Sequence, residues 1–120
     1  MPNKSPLQKG VGTGRSVQGF IVQLIFLAIA RDELAEAKLF YNRQQKGLGE
    51  SFKRESETAA RLIKERPLSW QIEIDPVRRF ILDRFPYKML YIIRAEQIVV
   101  ISVAHQHRRP DYWVERPQPK

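Results

Sequence analysis

Apolar positions follow two different periods along this chain. Residues 20–26, FIVQLIF, are apolar almost throughout, which predicts a central strand buried on both faces. The period then lengthens. Ala30, Leu34, Ala37 and Tyr41 recur every three to four residues, while Arg31, Glu36, Lys38 and Arg43 lie largely off that stripe. This predicts a helix over 30–45. Lys46-Gly47-Leu48-Gly49 ends it, with Gly47 suited to a left-handed cap. A second helix is predicted over 50–65, its inner face marked by Phe52, Ser56, Ala59 and Ile63, and Pro67 stops it. Two helices joined by so short a turn form an antiparallel hairpin. Their apolar stripes need a sheet to cover.

The sheet is predicted by the second half. In 68–77, Trp70, Ile72 and Ile74 alternate with Gln71, Glu73 and Asp75, so part of this connection reads as an extended edge. Three apolar, β-branched or aromatic runs follow at 80–82, 87–93 and 98–104. The breaks between them are short, Arg84-Phe85-Pro86 and Ala95-Glu96-Gln97, which predicts an antiparallel meander. Strict alternation in the last run places Val99, Ile101, Val103 and His105 on one face, and Ile98, Val100, Ser102 and Ala104 on the other. The predicted class is α+β in the order β-α-α-β-β-β: a helical hairpin packed on a twisted, mainly antiparallel four-stranded sheet. The folded domain is assigned to 20–116. Residues 1–19 hold four glycines and no acidic residue, and read as a disordered basic tail. Pro110, Pro117 and Pro119 forbid a long C-terminal helix, Tyr112-Trp113 reads as an aromatic anchor, and 117–120 is a short tail.

Charge narrows the class of partner. The chain has 120 residues, with 21 Lys and Arg against 13 Asp and Glu, a net charge of +8. An anionic partner is expected, nucleic acid or an acidic protein. The absence of cysteine excludes disulfides and thiol catalysis and suits a cytoplasmic protein. The apolar stretch 20–30 is too short to span a bilayer, so no membrane role is expected. Lys4, Lys9 and Arg15 ahead of that stretch resemble a secretory leader, but cleavage at Ala30 would remove a strand the fold needs.

No P-loop, GxGxxG or HExxH pattern is present. His105-Gln106-His107 could chelate a metal through alternate residues, but no third ligand is apparent, so neither metal nor cofactor is expected. Acid–base work on RNA is the sharper reading. Cleavage without metal needs a base for the ribose 2′-hydroxyl, cations for the charged phosphorane and an acid for the leaving oxygen. His105, His107 and Tyr112 are the available titratable groups, and Arg79, Arg84, Lys88 and Arg108 the available phosphate-binding cations. The plainer reading makes the histidines structural and the arginines solvated.

Ala30-Arg-Asp-Glu-Leu-Ala-Glu-Ala, Phe40-Tyr41 and Gly47-Leu-Gly-Glu-Ser-Phe52 together resemble the helical hairpin of RelE/ParE-family toxins. Arg78-Arg79-Phe80 with Phe85-Pro86-Tyr87-Lys-Met-Leu-Tyr91 resembles their central hairpin, and residues 103–113 their last strand and C-terminal segment. The resemblance covers roughly residues 21–116. It implies the toxin of a type II toxin–antitoxin module, of the kind called plasmid stabilisation proteins, with a cognate antitoxin whose acidic segment wraps the basic toxin. One branch of the family cuts mRNA in the ribosomal A site, and the other inhibits DNA gyrase without established nuclease chemistry. For the cutting branch, Tyr112 falls where a functional tyrosine can stand, and Arg84 within a residue or so of the phosphate-facing arginine. Gln106 stands where some members place an essential arginine, and His105 or His107 could substitute for it. The resemblance thus implies a ribosome-dependent mRNA endonuclease, with a gyrase inhibitor or a degenerate toxin that only binds antitoxin as alternatives.

Overall fold

A computed structural model describes residues 23–107. In chain order the elements are β1 (Gln23–Phe26), α1 (Ala28–Gln44), α2 (Leu48–Glu65), β2 (Ile72–Ile74), β3 (Val77–Ile81), β4 (Tyr87–Arg94) and β5 (Gln97–His105). The sheet has five strands in the order β1-β5-β4-β3-β2, against the four expected. The fifth is β2, the extended part of 68–77, which pairs antiparallel with β3. The β3–β4–β5 meander is antiparallel as the short breaks required. β1 pairs parallel with β5, from Gln23 opposite Gln97 to Phe26 opposite Val100.

The placement of β1 corrects the sequence expectation. It lies at an edge of the sheet, not its centre, and Gln23 and Ile25 are exposed. An apolar run does not disclose whether both of its faces are covered. Here Leu24 and Phe26 are half-buried against the core, and among the described residues nothing covers the other side of the strand.

The hairpin follows the periodicity closely. Phe52, Ser56, Ala59 and Ile63 of α2 are all buried, as are Ala30 and Ala37 of α1. Gly47 takes φ 86° at the turn, a left-handed conformation that a side chain resists. The two helices approach so closely at Gly49 that a Cβ there would lie 2.6 Å from Asn42 Cγ and would also strike Lys38 O. Asn42 Oδ1 accepts from Gly49 N–H at 2.8 Å, and Lys38 Nζ lies 3.4 Å from Glu50, which closes the turn.

An aromatic cluster joins hairpin to sheet. Phe52 is fully buried, with ring centroids 5.4 Å from Tyr41 and 5.2 Å from both Phe85 and Tyr87. These tilted and edge-on contacts suit the ring quadrupoles. On the sheet side the core is completed by Met89, Tyr91, Ile98, Val100 and Val103. The Tyr91 hydroxyl donates to Pro67 O at 2.6 Å, which pins the chain leaving α2. Burial pushes this phenol up to about 12.

The alternation expected along β5 fails at one point. Leu90 pairs with Ser102 but Tyr91 with Val100, so Ile101 is an extra residue on β5. A bulge of this kind inverts the faces beyond it. Ile98, Val100 and then Val103 therefore join the helix-side core, while Ile101 and Ala104 pack with Val77, Leu90 and Ile92 on the opposite face.

Candidate functional site

The two histidines stand at the C-terminal end of β5. Tyr87, first residue of β4, is paired with His105, and their ring centroids are 5.8 Å apart. The His105 and His107 rings lie 5.3 Å apart. His107 N–H donates to His105 Nδ1 at 3.3 Å. Gln106 N–H donates to Pro86 O at 2.8 Å, which fastens the segment to the β3–β4 loop.

That loop carries Arg84. Its neighbour Phe85 is buried in the aromatic cluster, with its ring 4.9 Å from Tyr41, while the Arg84 side chain remains 64% exposed. Glu55 of α2 holds the loop in place. Its carboxylate accepts from Asp83 N–H, from Arg84 N–H at 2.9 Å and from Arg84 Nε–H at 3.0 Å. The fold thus brings the Arg84 loop and the histidine pair to one end of the sheet.

Arg79 and Lys88 lie elsewhere. Arg79 is opposite Leu90 and Lys88 opposite Ala104, residues of the face that turns away from the helices. Glu73 bridges both cations, 3.2 Å from Arg79 Nη1 and 2.5 Å from Lys88 Nζ. The Lys88 side chain is 5% exposed and that of Glu73 1%. A second contact, Arg79 Nη2–H to Gln71 Oε1, further occupies the guanidinium. Arg108 and Tyr112 lie outside the described residues.

A groove of about 440 Å³ opens beside His105, lined by Glu33, Glu36, Phe40, Tyr87 and Val103 among others. Glu33 accepts from Val103 N–H at 2.8 Å and from Ser102 Oγ at 3.1 Å. Burial, and then the charge of Glu33, push the Tyr87 hydroxyl above its ordinary range. Two carboxylates beside His105 repel a phosphate rather than attract one.

Sequence reasoning missed Glu33, Glu55 and Glu73. Glu73 stands between Ile72 and Ile74, a pattern that reads as a solvent-facing charge. The structure inverts it, with the carboxylate buried and both isoleucines exposed. Among the described residues no three His, Asp or Glu side chains gather to hold a metal, and no helix is long and apolar enough to cross a membrane.

Comparison with solved structures relates this geometry to a known architecture. A chain of the chromosomal ParDE TA system from P. aeruginosa superimposes with a TM-score of 0.65, over 73% of this chain and 98% of that one. The two share a fold. Their sequences are 12% identical, so the likeness lies in the arrangement of helices and strands. No protein-family model matches the sequence, and no curated protein matches it. The α+β reading, with a helical hairpin on one face of a mainly antiparallel sheet, agrees with that architecture.

Proposed function

We infer that this chain is the toxin of a type II toxin–antitoxin module, and that it arrests growth by binding its target rather than by cutting RNA. The fold shared with the ParDE chain supports the first part, and the net charge of +8 suits an acidic antitoxin. The observation that carries the second part is the engagement of the cations. Glu73 holds Arg79 and Lys88, Glu33 and Glu36 border the groove at His105, and of the cations near the histidines among the described residues Arg84 alone stays exposed, with its Nε on Glu55. A phosphoryl site needs unengaged donors aimed at the developing charge. DNA gyrase is the target that the family resemblance supplies for a binding toxin.

A second reading rests on the histidine pair. His105 and His107 stand close together next to the exposed Arg84 loop, and a ribosome could supply the missing phosphate contacts. In that reading one histidine is the base, Arg84 and Arg108 hold phosphate, and Tyr112 positions or donates, while Arg79 and Lys88 stay with Glu73 on the other face.

Induction in growing cells separates the two. DNA and protein synthesis are followed by pulse labelling, and mRNA ends are mapped. Early arrest of DNA synthesis with intact mRNA is expected. Codon-phased cuts with immediate loss of translation would overturn the binding mechanism. The double variant His105→Gln/His107→Gln is expected to stay toxic; its loss of toxicity, with folding and antitoxin binding retained, would favour cleavage. No growth defect at all would mark a degenerate toxin that only titrates antitoxin.

A further inference from the structure

α2 buries one polar side chain among apolar ones. Its inner face carries Phe52, Ser56, Ala59 and Ile63, and Ser56 is 1% exposed. A serine inside a helix can return its hydroxyl to the carbonyl one turn earlier. Ser56 Oγ does not, and it has no hydrogen-bond partner among the described residues. Buried polar groups left unpaired are uncommon, and each calls for a group that completes it.

Ser56 lines a pocket of about 310 Å³ between the two helices. Phe26 of β1, Leu34 of α1 and Ala60 of α2, all half-buried, give it apolar walls. Its volume falls near the lower end for small-molecule sites, about 300–1,000 Å³.

The mouth of the pocket is positive. Arg31 and Lys53 line it, and both are exposed. Arg31 makes one weak contact, Nη1–H to Phe26 O at 3.4 Å, and no ion pair among the described residues. Lys53 lies 3.8 Å from Glu57, which also lines the pocket, but both side chains are more than half exposed and the pair is loose in water. The pocket also reaches the start of α1. Leu27 offers no side-chain cap there and the first turn holds no acidic residue, so the positive end of the helix is uncompensated.

We propose that this pocket is a binding site for a small organic acid with a compact apolar body and a hydroxyl opposite its carboxylate. The carboxylate lies at the mouth with Arg31 and Lys53, and the body lies against Phe26, Leu34 and Ala60. The hydroxyl reaches Ser56 Oγ, which can both donate and accept, as Leu34 and Ala60 part to admit it. The chain's own residues 1–22 are an unsuitable occupant beside two cations, because they carry Lys4, Lys9 and Arg15 and no acidic residue. The site shares no lining residue with the groove at His105, and the proposal does not depend on how the toxin acts.

The test is an NMR titration of the full chain at neutral pH with para-hydroxyphenylacetate as the probe. Phenylacetate, which lacks the hydroxyl, and tyramine, which replaces the carboxylate by an ammonium, are the controls. Saturable shifts of the Ser56 and Ala60 amides are expected with para-hydroxyphenylacetate. Phenylacetate should bind about fivefold more weakly, and tyramine not at all. Ser56→Ala favours the helix, so this variant stays folded, and it is expected to erase the difference between the two acids. Arg31→Gln/Lys53→Gln is expected to weaken both acids about threefold or more. Tyramine binding as well as the acids, a hydroxyl preference that survives Ser56→Ala, or shifts centred on the His105 groove would overturn the proposal. So would the absence of any saturable shift; nuclear Overhauser contacts from Val22 to Leu34 would then give the pocket to the chain's own N-terminal segment.

Discussion

Replacing Glu55 with alanine should destabilise the fold far more than replacing its visible ion-pair partner. Glu55 is mostly buried and accepts three bonds from the β3–β4 loop: the Asp83 and Arg84 amides and the Arg84 guanidinium. The ion pair itself contributes little, about 0.5 kcal/mol, because the Arg84 side chain is 64% exposed and screened by water. Each main-chain bond to a carboxylate contributes about 1 kcal/mol here, the low end for charged acceptors, since water can partly replace it. Glu55→Ala should therefore cost about 2–3 kcal/mol, and Arg84→Ala about 0.5 kcal/mol. In urea unfolding, with a slope of about 2 kcal/mol/M, the first lowers the midpoint by about 1 M and the second by about 0.25 M. Glu55→Gln retains one acceptor oxygen and should fall between them. The double variant should cost little more than Glu55→Ala, because Glu55 is the main partner of Arg84, whose guanidinium otherwise only lies 5.7 Å from the Phe85 ring centroid. Equal midpoints for the two single variants would refute the reasoning. The loop would then be held by Phe85 in the aromatic cluster and not by the carboxylate.

Other consequences are as direct. Tyr91 holds its proton up to about 12 when folded, against 10.0 for an ordinary phenol, so the unfolded chain ionises first and stability falls as pH rises from 10 to 12. The fall attributable to Tyr91 is about 2–3 kcal/mol, and Tyr91→Phe should flatten it in denaturant titrations across that range. Tyr41 and Tyr87, also raised, act in the same direction. Phe52→Ala empties the centre of the aromatic cluster and should cost about 3–5 kcal/mol by urea unfolding. Gly49→Ala drives a methyl into α1 at Asn42 and the Lys38 carbonyl, with a loss of about 1–3 kcal/mol in the same assay, whereas an unchanged midpoint would show that the helices can part.

How far the sequence reaches is visible residue by residue. Each face of the helical hairpin was legible because a period near 3.6 constrains which side chains meet the core, and Phe52, Ser56, Ala59 and Ile63 are buried as that period demands. The meander was legible because short breaks between β-branched runs allow only neighbouring antiparallel strands. The position of β1 was not, since an apolar run states its own hydrophobicity and not what lies on either side of it. The bulge at Ile101 was invisible for a related reason: an extra residue leaves composition unchanged and inverts every face beyond it. Glu73, Glu55 and Glu33 show the deepest limit. Local pattern records only that a residue is charged. Whether a carboxylate faces water, bridges Arg79 to Lys88, or fastens a loop 29 positions away is decided by distant parts of the chain folding together. The sequence alone determined the helical hairpin, the meander and the excess of basic residues. Only the tertiary structure decided which cations are held by carboxylates, because pairing is a property of space and not of sequence spacing.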